Sequence, residues 1–276
     1  MTEKIITVYI LCGELLKAVN ILEDRQSGMN NAEVMTVVLT AALFFRGHIE
    51  NARIFLKEHC YIRNMLSGSR LNRRIHSLPD SVWQNLFCIL SEIFKKADTG
   101  QEYIIDSFPV PVCGNIRISR SEILKGEDYR GFIASKKRYF FGIRVHMIIA
   151  ASGEPAEFVI APGRDRDVRI FKQMNFDLPE KSVVYGDKDY NDYNFGDMLS
   201  GAAGITMRPL RKKNSVRATD SHTERAACRN FRKRVETAFS RITNLFPKNI
   251  HAVTAKGFFL KVIAFILAYS INCLTV

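Results

Sequence analysis

The sequence predicts a mixed α/β domain, a mixed sheet with flanking helices, over residues 99–276, preceded by an all-helical domain over residues 1–98. Three observations predict it. Apolar residues recur at helix spacing through the first part, the period changes to that of strands after Asp98-Thr99-Gly100, and helical spacing returns from Ser221 to the end.

In the first part, Val34, Val37, Val38, Ala41 and Phe45 mark one helix, with Asn30 or Asn31 before Glu33 as its cap and Gly47 as its stop. A second runs over Ser67 to Ser77. A third begins near Val82, capped by Asp80, through Leu86, Ile89, Leu90, Ile93 and Phe94. Beyond Gly100, Tyr103-Ile104-Ile105-Asp106 reads as a short strand ending on a carboxylate, before the proline-bearing Ser107-Phe108-Pro109-Val110-Pro111. Residues 139 to 150 alternate, with Phe141, Ile143, Val145, Met147 and Ile149 on one side and Arg144 and His146 on a polar one. Ser152-Gly153-Glu154 turns the chain into a partner strand at Phe158 to Ala161. Asp165 or Asp167 caps a helix through Val168, Phe171 and Met174. Val183-Val184-Tyr185-Gly186-Asp187 is a fourth strand, again ending on a carboxylate. A helix near Tyr193 to Leu199 and a fifth strand at Gly204 to Met207 follow, then helices with a break around Pro247.

The formal charge of +12 and pI near 9.5 favour a polyanionic partner, nucleic acid before an anionic membrane, although a merely basic soluble protein has the same balance. Cys12, Cys60, Cys88, Cys113, Cys228 and Cys273 have no zinc-knuckle or redox spacing and read as reduced thiols, which suits a cytosol. Met1 to Lys4 precede only a short apolar run, so no signal peptide is expected. The apolar stretch Gly257 to Leu274 carries Lys261, Ser270 and Asn272 and reads as a buried helix, so a soluble chain is expected.

Two carboxylates at strand ends in one mixed domain, Asp106 and Asp187, point to chemistry, because the mouths of strands are where active sites gather in such sheets. Magnesium in phosphoryl transfer is held by a few carboxylates plus substrate phosphates, and a third acid from a helix completes such a site. Glu236 is the candidate. It borders the buried stripe Phe231, Val235, Ala238, Phe239 and Ile242, in a stripe with Arg229, Arg232 and Ser240. The structural alternative is an i, i+4 pair with Arg232. Asp189 and Asp192 are read as caps for the next helix.

Basic residues cluster around these acids. From Arg208 to Arg241 they include Arg211, Lys212, Lys213 and Arg232, which suits a phosphodiester backbone lying across a metal site. Lys125 to Tyr139 mixes Tyr129, Arg130, Lys136, Lys137, Arg138 and Tyr139 as DNA-contacting loops do. The helix at 67–77 carries Arg70, Arg73, Arg74 and His76, either as part of a helix-turn-helix module or as a solvated basic face.

These residues resemble the DDE transposases of bacterial insertion sequences, in the group designated nine-eight-two. The resemblance spans nearly the whole chain. It rests on Met65 to His76, Asp106-Ser107-Phe108-Pro109-Val110, Tyr129-Arg130-Gly131, Ser135 to Gly142, Gly186-Asp187-Lys188-Asp189-Tyr190, Arg211 to Asn214, the run through Glu236, and Ile250 to Thr254, in this order. It implies a ribonuclease-H-like catalytic domain in which Asp106, Asp187 and Glu236 bind two Mg2+ ions, with Mn2+ able to substitute. It also implies double-stranded DNA (element ends and target) as partner and a homodimer or larger assembly on DNA. The implied location is the cytoplasm, at the nucleoid, and no membrane is involved. Many of these transposases carry a tyrosine, arginine and lysine around the glutamate. Arg232 matches the arginine, whereas Arg229 and Thr243 stand at the other two positions. The expected chemistry is DNA strand cleavage and strand transfer. A hydrolytic nuclease on the same fold, or a decayed or domesticated DNA-binding copy, are the competing readings.

Overall fold

The computed structural model describes residues 1–21, 23, 28–113, 118, 121–133, 136–211, 217 and 221–274, with the side chains of 222–225 and 227–229 outside the description. The chain divides into two units, Met1–Leu90 with Arg241–Val276, and Ser91–Ser240. The sequence expectation divides the chain once, between residues 98 and 99, whereas these units part after Leu90 and after Ser240.

The first unit is helical, with α1 (Thr2–Ala18), α2 (Asn31–Phe44), α3 (Ile49–Glu58), α4 (Gly68–Ser77), the start of α5 (Asp80–Ala97) and α9 (Ala255–Leu274). Asn30 caps α2. Its side chain accepts from the Glu33 N–H while Glu33 reaches back to the Asn30 N–H, so two orphan donors of the first turn are satisfied. Phe45 is its C-cap, and the chain then turns away through two left-handed residues, Arg46 at φ +49° and Gly47 at φ +76°. Helix α2 is buried on nearly every side, as is α9, and the two pack together. A helix that is apolar all round needs neighbours all round, so residues 241–276 group with the N-terminal helices despite their distance in sequence. The apolar run at 257–274 is therefore core here, though α9 is long and apolar enough to cross a membrane by length and composition.

The second unit carries β1 (Glu102–Cys113), β2 (Arg130–Ile133), β3 (Arg138–Ala150), β4 (Pro155–Pro162), α6 (Asp167–Phe171), β5 (Val183–Gly186), α7 (Tyr193–Ala203), β6 (Thr206–Pro209) and most of α8 (His222–Leu245). The strands form one sheet in the order β2-β3-β1-β5-β6, with β4 also on β3. β1, β3 and β4 are antiparallel, and β5 and β6 run parallel to β1. This mixed sheet with flanking helices, behind an N-terminal helical region, is the expected fold class and is consistent with a ribonuclease-H-like domain. The last turns of α5 belong to this unit, where Lys95 donates to the Asp177 carbonyl at 2.8 Å.

Three sequence expectations are corrected. Strand β1 does not end at Asp106 but continues to Cys113, through Pro109 and Pro111. It pairs with β5 only from Glu102 to Ile105. Past that point one edge of β1 has no strand among the described residues, and an edge tolerates prolines that a central strand does not. His146, expected on a polar face, is fully buried, because residues on both sides of β3 are covered. Helix α6 has Arg166 as its N-cap and no side-chain cap bond, so neither Asp165 nor Asp167 caps it. Asp192 does cap α7, accepting from the Phe195 N–H at 3.0 Å.

Candidate catalytic site

Side chains alternate along a strand, which sorts the sheet into two faces. Tyr103 and Ile105 of β1, with Val184 of β5, join a core under α6 and α7 that includes Phe171, Phe176 and Leu199. Ile104, Asp106 and Phe108 point the other way, as does Tyr185. That second face is covered by α8, whose Phe231 stacks on Tyr185 (4.2 Å, 20°) and whose Phe239 packs on Phe108 (4.8 Å).

Ile105 and Gly186 are the last paired residues of parallel strands β1 and β5. Asp106 and Asp187 come next on each strand, where the strands part, and both line a small cleft with Ile104, Tyr185 and Arg232. Gly186 permits the close approach, since a Cβ there would stand 2.9 Å from Ile105 Cγ2. The Ser107 N–H donates to Asp106 Oδ1 at 2.8 Å, and the Lys188 N–H donates to Asp187 Oδ1 at 2.6 Å, so backbone fixes both carboxyls.

Burial pushes the Asp106 carboxyl up to about 6. The Ser107 N–H and the Arg232 guanidinium oppose this, and the charges of Asp187 and Asp167 add to it. Arg232 Nη1 lies 3.6 Å from Asp187 Oδ2, half-exposed. Such a pair contributes at most about 1 kcal/mol, so it yields to a stronger cation. Adjacent carboxylates with incomplete neutralisation offer the hard oxygen donors that magnesium or manganese takes, and the donor set fits a divalent ion.

Glu236 stands one turn beyond Arg232 on α8 with its side chain exposed. The ring contacts at Phe231 and Phe239 lie on either side of it in sequence, which brackets its turn between β5 and β1 on the face that carries Asp106. Among the described residues, however, no three His, Cys, Asp or Glu side chains are grouped so as to hold a metal ion. The structure thus brings Asp106, Asp187 and Arg232 together and leaves Glu236 outside that group.

A buried polar set that sequence reasoning missed adjoins the pair. Asp167, the first residue of α6, lies 3.8 Å from Arg144 Nη1, and burial raises its pKa. His146 and the Tyr190 hydroxyl share a hydrogen bond of 3.0 Å, and burial with the nearby Arg144 charge lowers His146 to about 3, so the imidazole is neutral. Its position 3.9 Å from Asp167 is therefore not an ion pair. The available signal was an aspartate shortly after a strand, which is also the signature of an ordinary cap.

Of the residues expected to meet DNA, Arg70 and Arg73 are exposed on α4, Lys136 and Lys137 are exposed between β2 and β3, and Arg138 is exposed at the start of β3. Arg74 is turned inward, donating to Asn31 Oδ1 at 2.9 Å and to the Met29 carbonyl. Arg211 is partly exposed after β6, and Lys212 and Lys213 lie outside the described residues. Cys12 and Cys60 are free thiols.

Among curated proteins none matches the chain. The family model described as the transposase DDE domain matches residues 96–251, more than half of the chain and the whole stretch from β1 through α8, and the protein belongs to that family.

Proposed function

We propose that the protein is a transposase of the insertion-sequence group designated nine-eight-two, which cleaves DNA at element ends and joins them to a target. The carrying observation is the aspartate pair at the parting of β1 and β5, with one carboxyl raised by burial. Asp106, Asp187 and Glu236 are the residues that would hold two Mg2+ ions, or Mn2+ in their place. Bound there, the ions supply Lewis-acid stabilisation of the phosphate and activation of water or a DNA 3′-hydroxyl. The Ser107 and Lys188 N–H groups orient the two aspartates. Arg232, held only loosely by Asp187, is placed to pair with a phosphate oxygen once the carboxylates are otherwise engaged. Residues 1–98 bind element ends, with Arg70 and Arg73 on phosphates, while Lys136, Lys137, Arg138 and Arg211 hold the backbone nearer the chemistry. Joining two ends calls for a homodimer or larger assembly on DNA, in the cytoplasm at the nucleoid.

A second reading of the third acidic position has its own support. Asp167 acts on the charge of Asp106, whereas Glu236 is exposed. The two acids are separable by substitution.

The test is incubation of the protein with a labelled element-end duplex, a target duplex and magnesium. Joined products are expected. Nicking without joining would make the protein a hydrolytic nuclease, and binding without cleavage in either metal would make it a DNA-binding copy without chemistry.

A further inference from the structure

Away from the aspartates, strands β2 and β3 present two large rings to solvent. Phe132 is 45% and Tyr139 58% exposed, and Phe132 is the exposed phenylalanine among the described residues. They sit directly opposite each other in the antiparallel register, with ring centroids 5.0 Å apart and tilted by 53°. An exposed cross-strand aromatic pair stabilises a hairpin by roughly 0.2–1 kcal/mol, but burial would serve that purpose better than leaving about half of each ring in water.

The surroundings are cationic. Arg130, Lys136, Lys137, Arg138 and Arg164 are exposed here, against the acids Glu127 and Asp128. Glu127 is already paired with Arg130 at 3.1 Å. A cavity of about 490 Å3 opens beside the Tyr139 ring, lined by Glu127, Arg130, Tyr139 and Arg164. The Arg144 guanidinium donates to the Phe132 carbonyl at 3.1 Å and fixes the strand that bears the ring. Rings flanked by arginines and lysines beside a cavity form the combination that binds unpaired nucleotides, bases stacking while cations hold phosphates.

Position links this surface to the aspartates. Tyr139, Phe141, Ile143, Val145 and Met147 alternate onto one face of β3, and Met147 is the register partner of Asp106. The eight steps from Tyr139 to Met147 cover about 26 Å, less than one turn of B-form duplex.

We infer that Phe132 and Tyr139 form a stacking platform for an unpaired base of the DNA that lies across Asp106 and Asp187. The inference rests on the DNA-processing reading above and adds to it a preference for DNA with a single-stranded segment. Duplex binding by the cations alone has no use for exposed rings, whereas an unpaired base near a cut end offers a face for them to stack on.

The test is fluorescence anisotropy of the full chain in chelator, with a labelled blunt duplex and the same duplex bearing a short single-stranded overhang. The wild type is expected to prefer the overhang on the order of tenfold, the fold-change that about 1.4 kcal/mol of stacking gives. Tyr139→Ala and Phe132→Ala should lose that preference while binding blunt duplex as before, and Tyr139→Phe should keep it. Equal wild-type affinity for the two duplexes would overturn the platform, as would a proportionate loss on both in the alanine variants. Absence of binding to either duplex would overturn the DNA-processing reading itself, and the platform with it.

Discussion

Asp106 and Asp187 occupy the first positions beyond the last rung of a parallel ladder, Ile105 and Gly186, so the two carboxylates share a cleft at the point where their strands diverge. Neighbouring parallel strands lie about 4.8 Å apart, which sets like charges close together in a half-buried place. The raised Asp106 carboxyl is the consequence of that burial first, with the Asp187 charge adding to it.

That consequence has a sign that can be measured. An aspartate lifted from 3.8 to about 6 in the fold favours the folded state below its unfolded value and loses this as pH rises through 6. In chelator, Asp106→Asn should therefore be more stable than wild type above pH 7, by at most roughly 3 kcal/mol, and equal to it near pH 4. His146, lowered from 6.5 to about 3, works in the opposite direction, its contribution being lost as pH falls through that window. The two partly cancel between pH 4 and 6 in the wild type. Denaturant midpoints across pH should then fall more steeply on the acid side in Asp106→Asn.

Arg232 is one of the influences that hold the Asp106 carboxyl down. Removing its charge in Arg232→Gln should move an acid limb of the pH–rate profile governed by Asp106 to higher pH. An unmoved limb in single-turnover cleavage would show that Asp106 does not govern it.

The third acidic position is decided by two substitutions compared side by side. If Glu236 is a ligand, Glu236→Gln should lower cleavage by about 10²–10³-fold, the scale for losing a preorganised charge-stabilising group, while Asp167→Asn costs far less. The reverse order would transfer the role to Asp167.

In the helical unit, Gly47 combines φ +76° with a hypothetical Cβ only 2.8 Å from the Phe265 ring. Gly47→Ala should cost about 1–3 kcal/mol from backbone strain and displaced packing, read as a lowered thermal midpoint. An unchanged midpoint would show that the turn relaxes freely.

Much of this was legible in the sequence for physical reasons. The α2 cap announced itself because Asn30 and Glu33 stand at capping-box spacing, and Gly47 because few other residues accept its φ. Strand β3 showed through its alternation, and the buried nature of α9 through its composition. The extent of β1 did not show, since Pro109 and Pro111 argue against a strand unless it is known that β5 pairs only as far as Ile105. Burial of His146 was hidden for a similar reason, as covering by Tyr190 depends on distant chain. Arg74 looked like a DNA contact because sequence does not reveal that Asn31 and Met29 take its donors. Glu236 was singled out by its helical stripe, which fixes a face of α8 but not how far a side chain reaches toward Asp106.

The central claim is that the aspartate pair is a divalent-ion-dependent centre for cutting DNA. The most direct measurement is single-turnover cleavage of a labelled end duplex, with Mg2+, Mn2+ or chelator, by wild type, Asp106→Asn and Asp187→Asn. Cleavage by the wild type in either metal, absent in chelator and reduced by at least about 10²-fold in both variants with duplex affinity retained, is the expected result. Undiminished cleavage by either variant would contradict it.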